Sequence, residues 1–186
     1  LFLRILQMET NPKLLLQRLD LRDFQWLLDD QVPAERIDFS DYSQEVRQLI
    51  EQCPPSTKFV QCVAQARSLA ERGRPVIVWC MFLDSIHALS AALEEQGIAA
   101  CCIYGAVPLE ERQQLLQEFK TGRVQVLITN PHTLAESVSL HSVCHDAIYY
   151  EYSYNLVHLL QSKDRIHRLG LPQGQYTQYT YLQIEY

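Results

Sequence analysis

The apolar positions of this chain keep one period as far as residue 72 and a different one after it. Leu1 to Met8 is apolar and helix-competent, and Asn11-Pro12 ends it, because a residue before proline disfavours the α region. From Pro12, a residue suited to a first turn, Leu14, Leu15, Leu19, Phe24, Leu27 and Leu28 recur at helical spacing. Residues 29–40 form a polar connection. A further helix starts at Asp41, carries Val46, Leu49 and Ile50, and stops at Pro54-Pro55. Ser56 is placed as the N-cap of a helix from Thr57 to Arg72, with Phe59, Val60, Val63, Ala66, Leu69 and Ala70 inward and Gly73 closing it.

Beyond residue 74 the period shortens. Pro75-Val-Ile-Val-Trp-Cys80 is a continuous apolar run, as expected of a strand covered on both faces. A helix over Asp84–Glu95, a strand over Ala99–Tyr104 and a helix over Leu109–Phe119 follow. Then come a strand over Val124–Thr129, a polar loop to His141 and a strand over Ala147–Glu151. A helix over Leu156–His167 and an alternating strand over Tyr176–Ile184 finish the chain. Short strands alternating with helices imply an α/β fold with a mainly parallel sheet and right-handed crossovers. Ligands of such sheets sit beyond the carboxyl ends of the strands. Here those ends carry Cys80-Met81-Phe82, Gly105, Thr129-Asn130-Pro131 and Glu151.

Composition narrows the picture. The 186 residues are 47% hydrophobic, enough for one α/β domain with a core but too short for two nucleotide-binding lobes. A net charge of -6 argues against holding nucleic acid by bulk electrostatics. Residues 1–55 are the more acidic part, with 6 Lys+Arg against 10 Asp+Glu. The six cysteines include no CxxC pair and several lie in apolar runs, so reduced thiols and a cytoplasmic location are expected. No apolar run reaches membrane-spanning length, and no membrane partner is expected. Leu1 in place of Met, and Arg4 within the first apolar stretch, read as a fragment rather than a signal peptide.

The stretch with the most distinctive chemistry is Gln161-Ser162-Lys163-Asp164-Arg165-Ile166-His167-Arg168-Leu169-Gly170. Read as helix, it sets Gln161, Arg165 and Arg168 on one face and Ile166 and Leu169 on another, with Gly170 as C-cap. Guanidinium groups fork onto phosphate oxygens and stay charged, so two on one edge suit charge stabilisation at a phosphoryl group. The same spacing also suits a solvated edge with an Asp164–Arg168 pair. What is missing is equally telling. The chain has no GxxxxGK[ST] loop, no Asp-Glu dipeptide for a magnesium ion and no GxGxxG.

Taken in order, the segments resemble the second RecA-like lobe of superfamily-two helicases and translocases, specifically Swi/Snf-type ATPases and their bacterial relatives. Leu3 to Leu15 looks like the segment leading into that lobe, and Ser56-Thr-Lys-Phe59 like its SK-type start. Val76–Phe82 looks like motif IV, and Tyr104-Gly105 with Glu111-Arg112 and Phe119 like the G…R…F segment after it. Val126 to His141 looks like motif V, with Ala135 and Ser137 where the family carries glycine. Gln161-x-x-x-Arg165-x-His-Arg168-x-Gly170 looks like motif VI.

The resemblance implies a RecA-like three-layer sandwich over 56–186, preceded by a helical, lobe-connecting segment over 1–55. It also implies a C-terminal motor lobe of an ATP-dependent DNA translocase or helicase in the bacterial cytoplasm. Arg165 and Arg168 would then act on ATP and Mg2+ held mainly by a first RecA-like lobe of the same protein, which this sequence lacks. Gln161, Gly170 and Glu136 would support the ATP cleft. Thr129, Asn130, Ser137, Ser139, Phe82 and Gly105 would meet nucleic acid, expected to be duplex DNA, or ribose. The isolated chain is expected to be inactive.

Other constellations point elsewhere. His141-x-x-Cys144-His145 lacks a second ligand pair for zinc, so no metal is expected. Cys80 and His87 could suggest a thiol and base, but the apolar strand makes Cys80 a core residue. The tyrosines around 149–154 and 176–181 suit strand packing better than base stacking. Two alternatives stay open: a degenerate RecA-like interaction module, and a lobe of an RNA helicase.

Overall fold

Strand β1 (Val76–Trp79) lies at the middle of the sheet and is buried along its whole length. It appears in a computed structural model that describes residues 2–16, 44–135, 139–152, 156–167 and 174–184. β1 pairs on one side with β3 (Val126–Thr129) and on the other with β4 (Asp146–Tyr149). Strand β2 (Ala100–Ile103) lies outside β3, and β5 (Gln178–Tyr181) outside β4. The order is β2-β3-β1-β4-β5 and every pairing is parallel. Register sets Trp79 beside Thr129 and Tyr149, so the carboxyl ends of the three central strands finish level.

Alternation along the strands builds the two faces. Val76, Val78 and Cys80 meet Cys62, Val63 and Ala66 of α3 (Thr57–Glu71) and Ile86, Leu89 and Leu93 of α4 (Leu83–Glu94). Ile77 and Trp79 meet Leu116 and Phe119 of α5 (Leu109–Lys120), and Leu159 of α6 (Leu156–Lys163) packs on the same face. The result is a three-layer RecA-like α/β fold.

The leftward move from β1 to β2 is covered by α4 on one face. Every rightward move (β2 to β3, β3 to β4, β4 to β5) is covered on the other. One crossover hand throughout requires that division.

Two helices precede α3: α1 (Phe2–Thr10) and α2 (Gln44–Gln52). Asn11-Pro12 ends α1 as expected, and a short 3-10 turn, Pro12–Leu16, follows. Arg4 is buried here and donates to Gln7 Oε1 at 3.0 Å and to the Leu14 and Leu15 carbonyls at 3.5 and 3.4 Å. The lead-in is tied to the sheet at Thr10. The Thr10 carbonyl accepts hydroxyl protons from Ser56 at 2.6 Å and Tyr150 at 3.0 Å.

Several sequence expectations shift. Leu19, Phe24, Leu27 and Leu28 lie outside the described residues. Val60 is 52% exposed, so it does not take the inward facing expected of it. Helix α6 stops at Lys163, four residues short of the expected end. No helix among the described residues is long and apolar enough to cross a membrane.

Candidate functional site

The connection after β1 leaves on one face and that after β4 on the other, so a crevice opens where the two strands end side by side. Glu151 fills it. The residue continues β4 by two positions and is only 3% exposed. Its Oε2 accepts the backbone N–H groups of Met81 at 2.9 Å and Phe82 at 3.0 Å, and its Oε1 accepts the Ser85 hydroxyl at 2.6 Å. Phe82 is the N-cap of α4 and offers no side-chain cap, so the carboxylate does that work from across the sheet.

Burial pushes the Glu151 carboxyl above its ordinary value, while hydrogen bonds from Phe82, Ser85, Met81 and Thr10 pull the other way. Beside it lies a cavity of about 200 Å³ lined by Glu9, Thr10, Lys58 and Phe82. The Lys58 ammonium sits 5.6 Å from the Tyr150 ring centre. Burial lowers its pKa, opposed by the charges of Glu151 and Glu9. A space this small falls below the usual size of a ligand site. The amides that could receive a phosphate are already engaged.

At the other side of β1 the polar groups are less enclosed. Thr129 ends β3 and is buried, with its hydroxyl 3.4 Å from the Asn130 carbonyl. Asn130 Oδ1 accepts the Thr133 N–H at 2.8 Å, starting the 3-10 turn Thr133–Ala135. The Ser139 hydroxyl lies 2.5 Å from His141 Nδ1. Next to it, the Leu140 N–H donates to the Arg165 carbonyl at 2.9 Å, joining the expected motif V to motif VI. Beyond Lys163 the chain continues in turns, with Arg165 N–H donating to Ser162 O at 3.3 Å and His167 N–H to Lys163 O at 3.1 Å. Arg165 is therefore presented, half-buried, from a turn rather than a helix face, whereas Gln161 is exposed on α6. Ile166 packs into the core as its spacing predicts. Arg168, Gly170, Glu136 and Ser137 lie outside the described residues.

Two further candidates are placed differently from expectation. Phe82 is 2% exposed, and its ring is not on the surface where a nucleic acid or ribose could meet it. Gly105 is exposed after β2; a Cβ there would meet nothing within 4 Å, so no close approach requires glycine in this lobe. Its carbonyl accepts Arg112 Nη2 at 2.8 Å while Arg112 Nε donates to Val107 O at 2.7 Å, so this arginine shapes the loop.

Cys80 is a core residue whose thiol burial pushes well above its ordinary range. The Cys144 thiol donates toward the Pro75 and Asp146 carbonyls and is pushed up to about 12, chiefly by burial. Sequence reasoning gave Glu151 no role. The available signal was a carboxylate continuing the apolar run Ala147–Tyr150 without a break.

Fold and site define a RecA-like α/β domain in which, among the described residues, the amides at the start of α4 are engaged by Glu151 and Arg165 lies half-buried in a turn. Residues 56–170 match the family described as helicase conserved C-terminal domain, and the chain belongs to that family. A curated relative, the ATP-dependent RNA helicase DBP3 of Chaetomium globosum, is 23% identical over 128 residues. That match covers 67% of this chain but only 21% of the relative. Among solved structures, the C-terminal part of the Fun30 ATPase domain is similar with a TM-score of 0.65 at 18% identity. It covers 95% of this chain and 65% of that one. S. cerevisiae Dbp5 bound to RNA and ADP BeF3 is similar with a TM-score of 0.55 at 16% identity, over 78% of this chain and 44% of that one.

Proposed function

We propose that this chain is the C-terminal motor lobe of an ATP-dependent, Swi/Snf-type DNA translocase, acting against a first RecA-like lobe of the same protein. The observation that supports the reading is a contrast: the crevice at the sheet's carboxyl edge is filled by Glu151, while the turn carrying the half-buried Arg165 is fixed through Leu140. A lobe so built cannot cradle a nucleotide, but it can deliver cations to one held opposite.

ATP and Mg2+ would be held mainly by the first lobe. This chain's part is charge stabilisation, with Arg165 and Arg168 presenting guanidinium groups to the transferring phosphoryl oxygens and Gln161, Glu136 and Gly170 supporting the cleft. Asn130, Ser137 and Ser139 would meet a nucleic-acid backbone or ribose with short polar groups that read no sequence. Thr129, buried behind Asn130, would act by holding that loop. Closing of the two lobes completes the site and couples hydrolysis to stepping along duplex DNA.

The sequence likeness to an ATP-dependent RNA helicase supports a second reading, a lobe that works on RNA. ATP hydrolysis by the full-length protein with DNA, with RNA and with neither separates the two. Hydrolysis stimulated by duplex DNA, a silent isolated chain and an Arg168→Ala variant slower by about a thousandfold are expected. Stimulation by RNA alone moves the reading to the RNA branch. Turnover by the isolated chain overturns the two-lobe reading. Indifference to nucleic acid and to Arg168→Ala would make the chain an interaction module.

A further inference from the structure

The last carbonyls of a helix have no partner within it and must find one elsewhere. At the end of α6 the N–H groups of Asp164, Arg165, Ile166 and His167 supply most of these partners, and other parts of the fold grip the turn they form. The Ser162 hydroxyl donates to Leu159 O at 2.7 Å, so in the 2.7 Å contact between Ser162 Oγ and Tyr149 Oη the tyrosine is the donor. Tyr179 of β5 donates its hydroxyl to Lys163 O at 3.2 Å, and Leu140 donates its N–H to Arg165 O at 2.9 Å. Tyr149 is itself immobilised: it is 1% exposed and stacks on Tyr181 with centroids 4.6 Å apart and planes within 12°. The Lys163 ammonium sits over the Tyr179 and Tyr181 rings at 5.4 and 5.6 Å.

We infer that Tyr149 and Tyr179 are positioning residues whose hydroxyls fix the turn after α6 and so set where Arg165 is presented. The inference rests on the motor-lobe reading above. Ser162 is the pivot, because its hydroxyl takes the Tyr149 proton while its carbonyl takes the Arg165 N–H. Without that grip the turn loses its tie to β4, and the guanidinium samples a wider arc. Positioning errors on that scale cost rate rather than binding.

The test is ATP turnover by the full-length protein, with thermal midpoints to verify folding. Tyr149→Phe is expected to lower kcat about tenfold with KM within about twofold. Ser162→Ala should do the same, and the double variant no more, because the two act as one unit. In an Arg165→Ala background, Tyr149→Phe should cost nothing further. An unchanged kcat in Tyr149→Phe, or an equal loss when Arg165 is already alanine, overturns the inference and leaves the motor-lobe reading standing. An Arg165→Ala protein with full turnover overturns the motor-lobe reading itself, and the positioning role falls with it.

Discussion

Two places, the crevice at the carboxyl end of the sheet and the turn after α6, have been given opposite characters. In the crevice between β1 and β4, one carboxylate takes two amide protons and a hydroxyl proton, and almost nothing is left for a ligand. At the edge between β3 and the end of α6, the backbone is held from outside while Asn130, Ser139 and Arg165 stay partly accessible. The crevice satisfies the general geometry of an α/β binding site. The difference shows that sheet topology offers a site and the local side chains decide whether it is spent internally. Here the helix N-terminus that could hold a phosphate is neutralised from within, and the chemistry is displaced to the arginine turn.

The largest effect that bears on this contrast is on hydrolysis by the full-length protein. Arg165→Ala should reduce kcat by about a thousandfold, whereas Glu151→Gln should leave it within severalfold. Glutamine can keep the crevice closed: its carbonyl can accept both amide protons while its NH2 donates to Ser85 Oγ. The reverse ranking, with Glu151→Gln silent and Arg165→Ala active, would break the comparison by making the crevice the working site.

Removing the carboxylate altogether should show in stability. Glu151→Ala leaves the Met81 and Phe82 N–H groups and the Ser85 hydroxyl without their acceptor, each worth about 1–3 kcal/mol when buried. Water entering the neighbouring cavity offsets part of this, so a loss of about 3 kcal/mol in urea unfolding is expected. A loss below about 0.5 kcal/mol would mean that the cap is dispensable.

The raised Glu151 carboxyl adds a pH signature of the opposite sign to the usual paired carboxylate. A folded-state value above the unfolded one gives a contribution that is complete below the ordinary glutamate value of 4.5 and is lost as pH rises through the folded value. Wild type should therefore lose stability relative to Glu151→Gln as pH rises from the ordinary glutamate value through the raised folded one. Lys58 faces the same cavity and its pKa is held up by the Glu151 charge, so the difference between the two curves reports Glu151 together with Lys58. Parallel curves would show that the carboxylate is as well satisfied folded as unfolded.

How much of this was legible in the sequence follows from how local each cause is. The run Val76–Trp79 announced a doubly covered strand because both faces needed apolar residues, and Ser56 announced its helix because capping is a three-residue event. Motif VI was visible as a residue pattern, but the end of α6 was not. The turn beyond Lys163 is tied to residues 140, 149 and 179, none of them its neighbours in sequence. Glu151's role was hidden for the same reason, its partners Met81, Phe82 and Ser85 lying about seventy positions upstream. Phe82 was assigned to the surface from its place at a strand end; burial there depends on how α1 and the strand ends close over it.

The smallest effect separates two stacked tyrosines that share one environment. Tyr149 and Tyr181 lie parallel at 4.6 Å, yet only Tyr149 has a hydroxyl partner. The Tyr181 hydroxyl is buried without one among the described residues. Removing an unpaired buried hydroxyl recovers its desolvation cost while keeping the ring, its stack and its contact with Lys163. Tyr181→Phe should therefore be neutral or stabilising by up to about 1 kcal/mol, whereas Tyr149→Phe should lose about 1 kcal/mol. Thermal unfolding of the two variants side by side measures the difference. If Tyr181→Phe were the more damaging, the polar contact that holds the arginine turn would lie on β5 rather than on β4.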